Sequence, residues 1–152
     1  MNVHLITARP LNKSSVKRIV ILRALPGLGD FLCCVPAFKA LRSAFPIAQI
    51  ALIGLPNSRH LVDRFRHYID AWFEFPGFPG IPEVSFLASR TVAFLHQMQQ
   101  MKFDLALQMH GNGSTSNCFV QLLAAAEQAG FFQPDYFCPD LERFAIYPER
   151  LP

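Results

Sequence analysis

The sequence predicts an α/β domain, a Rossmann-like parallel sheet with helices on both faces, from three observations. Short apolar runs rich in β-branched residues recur at 19–22, 49–54 and 103–109, as in strands covered on both sides. Segments with helical spacing separate them, and such alternation implies right-handed crossovers between parallel strands. Glycine-broken turns at 26–30 and 110–114 follow the first run and the last of these. Both fall at the carboxyl edge of the sheet, where open α/β sheets bind ligands.

The first unit organises the rest. Ile19, Val20, Ile21 and Leu22 form the first strand, and Pro26, Gly27 and Gly29 break it. The glycines permit unusual backbone angles and let another group approach the main chain closely. Phe31, Val35, Phe38 and Leu41 follow at helical spacing, with Lys39 and Arg42 on the other face and in the last turn. Pro36 would cost a hydrogen bond in a helix begun at Asp30. Either that helix kinks, or it begins near Val35 after an irregular lead-in.

Residues 49–54 give a second strand, closed by Gly54, and 56–65 a short helix with Leu61, Val62 and Phe65 as its apolar positions. A third strand is expected around Ala71, Trp72, Phe73 and Glu74. The prolines and glycines of 75–82 specify a loop, and its phenylalanines fold it onto its own domain. Residues 85–101 read as a helix with Phe86, Leu87, Val92, Leu95, Met98 and Met101 buried. The fourth strand is centred on Leu105, Ala106 and Leu107, and Ser114 or Thr115 caps a helix running to Gly130. Phe131 and Phe132 form a short fifth strand. This divides the chain into a flexible lead-in (1–17), a domain (18–133) and an irregular, proline-marked tail (134–152).

The 152 residues suit a single domain. An apolar fraction of 51% against 16% charged, with 15 Phe, is high for a small domain and suggests that a partner surface covers part of it. No apolar segment reaches the ~18 residues of a membrane span. Residues 1–16 contain no long apolar stretch of the secretory kind. A net charge of +3, dispersed along the chain, does not argue for nucleic acid. Cys33, Cys34, Cys118 and Cys138 make no CxxC pair, which suits a reduced, cytoplasmic protein. At most peripheral contact is expected, at the inner face of the membrane.

Several residues could carry chemistry. Asp30, at the end of the first strand, is suited either to cap a helix or to accept a proton from a substrate hydroxyl. His110 can donate to a substrate oxygen or hold the turn by structural hydrogen bonds. Asn112 and the amides from Gly111 onward can bind a hydroxyl or an anion, or form an ordinary capped turn. Arg59, near the start of the second helix, belongs to an exposed basic face or reaches an anionic substrate. His60, His67 and His96 show no metal spacing, so no metal site is expected. The dinucleotide fingerprint lacks its third glycine, and Gly54 and Leu55 stand where its acidic residue belongs, against an oxidoreductase.

The string Ile19-Val20-Ile21-Leu22-Arg23, Leu28-Gly29-Asp30, Val35-Pro36-Ala37-Phe38-Lys39-Ala40-Leu41-Arg42, Phe45-Pro46 resembles the N-terminal half of family 9 glycosyltransferases. These are the heptosyltransferase-like enzymes of lipopolysaccharide assembly. Phe103-Asp104-Leu105-Ala106-Leu107-Gln108-Met109-His110-Gly111-Asn112 resembles the family's second landmark, a strand ending Leu-Gln-Gly. The resemblance implies the N-terminal half of a GT-B fold, in which this domain binds the sugar acceptor and a second domain binds the nucleotide-sugar donor. It places the family's proposed base on Asp30, with Gly27, Gly29, His110, Gly111, Asn112 and Arg59 as substrate-binding candidates. The reaction it implies is an inverting sugar transfer, heptose-like, to a lipopolysaccharide-type acceptor. No cofactor or metal is implied beyond the nucleotide-sugar co-substrate.

The chain departs from the family in two ways. Its glycine turn is slightly longer than the common version. It also has room for one domain of typical size, so the donor domain is expected to be absent and the chain inactive alone. The expected partners are an anionic glycolipid or sugar acceptor and a second chain carrying the donor domain. The alternative is a non-catalytic Rossmann-like module that binds a small molecule, in which Asp30 is only a cap.

Overall fold

A computed structural model describes residues 9–148. The chain runs β1 (Arg18–Leu22), α1 (Leu28–Leu32), α2 (Val35–Ala44), β2 (Gln49–Gly54), α3 (Arg59–Arg64), β3 (Ala71–Glu74), α4 (Ala88–Gln100), β4 (Leu105–Gln108), α5 (Ser116–Leu122), β5 (Glu127–Phe132) and β6 (Phe144–Ile146). Single 3₁₀ turns stand at Lys13–Ser15 and Pro56–Ser58. The six strands are all parallel, in the order β3-β2-β1-β4-β5-β6. This is the α/β Rossmann-like sheet that the strand–helix alternation predicts.

The strand order follows from burial. Ile19 to Leu22 are fully buried, so β1 lies at the centre with β2 and β4 beside it. The chain steps outward from β1 to β2 and β3, then returns to lay β4 on the other side of β1. The carboxyl ends of β1 and β4 are therefore neighbours at the point where the winding reverses.

Alternate β1 residues face opposite layers. Ile19 and Ile21 pack with Phe31, Phe38, Phe45 and Val62 on the α1–α3 side. Val20 and Leu22 pack with Met98, Phe103 and Phe119 on the α4–α5 side. There Phe119 is fully buried, with ring centroids at 5.2 Å from Phe75 and 5.4 Å from Phe78. The proline-rich loop thus folds onto its own domain. Thr91 Oγ1 donates to the Gly77 carbonyl at 2.9 Å, and Arg90 Nε to that of Pro76 at 2.7 Å.

At the amino edge, carboxylates satisfy strand ends. Asp104 Oδ2 accepts the amides of Lys17 and Arg18 at 2.7 and 2.8 Å. Asp70 Oδ2 accepts the Ile50 amide at 2.7 Å and Arg42 Nη2 at 2.6 Å.

Five expectations are corrected. Pro36 kinks no helix: α2 begins at Val35, as the second alternative expects, and Pro36 occupies its first turn, where a missing amide costs little, but the lead-in is not irregular, because Leu28–Leu32 forms the separate α1. Phe86, Leu87 and Val92 are exposed at 50%, 56% and 66%. The helix begins only at Ala88, and its inward stripe is Thr91, Phe94, Leu95, Met98 and Met101, which leaves Val92 about 100° off phase. The last helix does not reach Gly130; α5 ends at Leu122, Ala124 takes a left-handed φ of 54°, and Glu127–Phe132 pairs as β5. The fifth strand is accordingly longer than Phe131 and Phe132. The tail is not wholly irregular, because Phe144–Ile146 adds β6 beside β5.

Of the lead-in, residues 1–8 lie outside those described. Arg9 is anchored, with Nη2 at 2.9 Å from Glu127 Oε2. No helix among the described residues is long and apolar enough to cross a membrane.

Candidate functional site at the switch point

The two glycine turns meet where β1 and β4 end. Arg23 follows β1 directly, and its guanidinium crosses to both neighbours. Nη1 donates to the Met109 carbonyl at 2.7 Å and Nη2 to the Asp30 carbonyl at 3.1 Å. The same Nη2 lies 3.7 Å from Asp30 Oδ1. The planar fork of arginine fits this double task, which the single ammonium of a lysine cannot reproduce.

Asp30 is not a helix cap. Gly27 occupies the cap position of α1, and Asp30 sits in the first turn, where a negative charge suits the helix dipole. Its side chain is 52% exposed. A Cβ on Gly27 would stand 2.5 Å from Asp30 Oδ2, so glycine makes room for the carboxylate. A Cβ at Gly29 would meet no neighbour within 4 Å.

Asp30 lines a cavity of about 310 Å³ together with Arg23, Leu25, Met109, Gly111, Phe131 and Tyr147. The cavity brings the two predicted turns together: Asp30 comes from the first and Gly111 from the second. Gly111 has a φ of +61° and open space around it, whereas Gly113 (φ +88°) is tightly confined, because a Cβ there would strike the Phe131 carbonyl.

His110 is turned away from this cavity. Its side chain is 8% exposed, and Nδ1 accepts the Ala24 amide at 3.2 Å. Neutral His110 then carries its proton on Nε2, which points toward Glu83 Oε2 at 3.8 Å. Burial pulls the imidazole below its ordinary 6.5, the Arg23 charge adds to that, and Glu83 opposes it. In this geometry His110 ties the second turn to the first. Asn112 Oδ1 accepts the Ser114 amide at 3.0 Å, a local turn contact. Thr115 stands at the start of α5 without a side-chain capping bond.

Arg59 is not brought to the cavity. It lies over the Trp72 ring, 5.7 Å from its centroid, beside a separate hollow lined by Asp63, Arg66 and Asp70. A smaller apolar hollow of about 180 Å³ flanks the glycine turn on the other side, between Leu25, Gly27, Phe31, Asn57 and Leu61. Asn57 Nδ2 closes its rim by donating to the Pro26 carbonyl at 2.6 Å.

Four residues of the site escape sequence reasoning. Arg23 and Gln108 end otherwise apolar strands, and that polar punctuation was their signal. Gln108 is buried, donates through Nε2 to Ser116 Oγ at 2.7 Å and to the His110 carbonyl, and accepts the Phe131 amide at 3.2 Å. It fixes β5 and the start of α5 around the second turn. Phe131 and Tyr147 reach the cavity because β5 and β6 form; the sequence marked Phe131 as a strand residue but not as part of the site, and Tyr147 not at all.

No family model matches the chain, and no curated protein matches it. A solved structure described as a glycosyl transferase family 9 protein from Veillonella parvula matches with a TM-score of 0.63 at 20% sequence identity. The match covers 91% of this chain and 37% of that one. The chain therefore spans just over a third of the length of the structure it resembles. The fold is that of a Rossmann-like α/β part of a family 9 glycosyltransferase structure.

Proposed function

We propose that this domain is the acceptor-binding half of a GT-B glycosyltransferase, with Asp30 as its base. The observation that carries the reading is the position of Asp30: a half-exposed carboxylate, free of capping bonds, beside a cavity at the switch point of the sheet. The likeness to a glycosyl transferase family 9 structure supports the same reading at the level of fold.

The chemistry is an inverting displacement. The Asp30 carboxylate takes the proton of an acceptor hydroxyl as that oxygen bonds to the donor's anomeric carbon. The bond from that carbon to the nucleotide breaks, and the nucleotide departs with the electron pair. Arg23 holds the turn that carries Asp30, and Gly27 leaves space for its side chain. The donor is a nucleotide-sugar with a heptose-like sugar, bound by a further domain. The acceptor is of lipopolysaccharide type, met at the cytoplasmic face of the membrane. On this reading residues 1–152 alone supply only the acceptor side and have no transfer activity.

The test is a pair of titrations followed by amide NMR. A lipopolysaccharide-core oligosaccharide should shift Asp30, Gly111 and Phe131, and a nucleotide-sugar should leave them unmoved. Robust transfer by this chain with no second domain would contradict the missing-donor-site part of the proposal. A binding module without catalysis would bind the oligosaccharide, yet tolerate Asp30→Asn in any transfer assay reconstituted with a donor domain.

A further inference from the structure

We infer that Phe131 and Tyr147 form an aromatic platform that selects one pyranose ring of the acceptor in the cavity beside Asp30; this rests on the acceptor-binding reading. The two rings meet edge to face, with centroids at 5.8 Å and planes at 89°. Phe131 is 42% exposed, although it belongs to a strand. Both residues line the same cavity as Asp30 and Arg23.

Such a wall suits a sugar. The C–H face of a pyranose is apolar and weakly positive at its hydrogens, and the face of an aromatic ring is negative, so the two attract. The hydroxyls around the sugar's rim need polar partners, and the same cavity supplies them. Asp30 is an acceptor and the Arg23 guanidinium a donor, and both line the cavity. Apolar walls with a few converging polar groups fix both affinity and orientation. An uncharged aromatic wall in the same cavity as a carboxylate also sets which edge of the ring meets Asp30, and hence which hydroxyl is deprotonated.

Tyr147 is placed by backbone pairing rather than by its side chain. Its amide donates to the Phe132 carbonyl at 2.8 Å, directly after β6. The platform thus depends on the strand added by the tail.

The probe is a lipopolysaccharide-core oligosaccharide, with its free constituent monosaccharides run in parallel, titrated into the chain and read by saturation-transfer NMR. Saturation should pass from aromatic protons to ring C–H protons of one sugar. Phe131→Leu and Tyr147→Leu should each weaken binding about three- to tenfold, while Tyr147→Phe stays near wild type. Unchanged urea midpoints in the leucine variants exclude misfolding as the cause of lost binding. If the oligosaccharide perturbs Asp30 and Gly111 but binds equally to both leucine variants, the platform is overturned and the acceptor reading stands. If only the nucleotide-sugar occupies the cavity, the acceptor reading itself falls, and the platform with it.

Discussion

Arg23 reaches from the end of β1 to the Met109 carbonyl at the end of β4, at 2.7 Å, while its other terminal nitrogen holds the Asp30 carbonyl at 3.1 Å. One guanidinium therefore couples the two strand ends that flank the switch point to the turn that carries the proposed base.

Arg23→Lys should lose at least one of these bonds, because its single nitrogen cannot stand at both positions that Nη1 and Nη2 occupy. The expected cost is about 1.5–3 kcal/mol, the range for hydrogen bonds that involve a charged group. Urea denaturation measures it. Arg23→Met should cost at least as much, since two backbone carbonyls then lose their donor.

His110 makes stability depend on pH. Its folded value is pulled below the ordinary 6.5, mainly by burial, so the unfolded chain binds the proton more readily. Stability from this group is complete above 6.5 and falls as pH drops below it, toward the depressed folded value. Protonation would also set an N–H of Nδ1 against the Ala24 amide that it now accepts. His110→Asn keeps an acceptor near Ala24 and should flatten this slope in a series of urea melts between neutral and mildly acidic pH.

The two glycines of the second turn should behave differently. Gly111→Ala meets no neighbour and bears only the left-handed backbone, at about 1–2 kcal/mol. Gly113→Ala adds a collision with the Phe131 carbonyl, so its loss should clearly exceed that of Gly111→Ala in thermal melts. Equal losses would mean that β5 moves freely relative to the turn.

Phe119→Ala removes the ring on which Phe75, Phe78 and Phe94 converge. A fully buried phenylalanine costs about 3–5 kcal/mol on truncation. The 75–82 loop should become cleavable in limited proteolysis, since its phenylalanines lose their seat.

The sequence made the first four strands legible because each is a short apolar run with sharp punctuation. Ile19–Leu22 is apolar throughout and rich in β-branched residues, which suits a doubly covered strand, and Gly54 and His110 mark where their runs stop. The later part was harder for a physical reason. Ala124, Ala125, Ala126, Glu127 and Gln128 are all good or neutral helix formers, yet pairing with β4 draws Glu127–Phe132 into the sheet. Phe144–Ile146 is too short to show a period, and it becomes a strand only because β5 offers it an edge. The site shows the same division. Asp30 and Gly111 were visible as turn residues after strands, and the structure brings them to one cavity. Arg59 looked equally eligible by charge, but the helix geometry lays it on Trp72 instead. Tyr147 was invisible without β6.

The most direct measurement is sugar transfer from a nucleotide-sugar to a lipopolysaccharide-core oligosaccharide, assayed with the donor-binding domain supplied, for wild type and Asp30→Asn. The Asp30 carboxylate is half-exposed and caps no helix, so the variant should fold normally, and Asn keeps an oxygen that accepts from the acceptor hydroxyl but cannot take its proton. A turnover number lower by about 10²–10⁴-fold with an unchanged acceptor KM is the result expected for a lost general base. An Asp30→Asn protein that transfers sugar as fast as wild type would contradict the account.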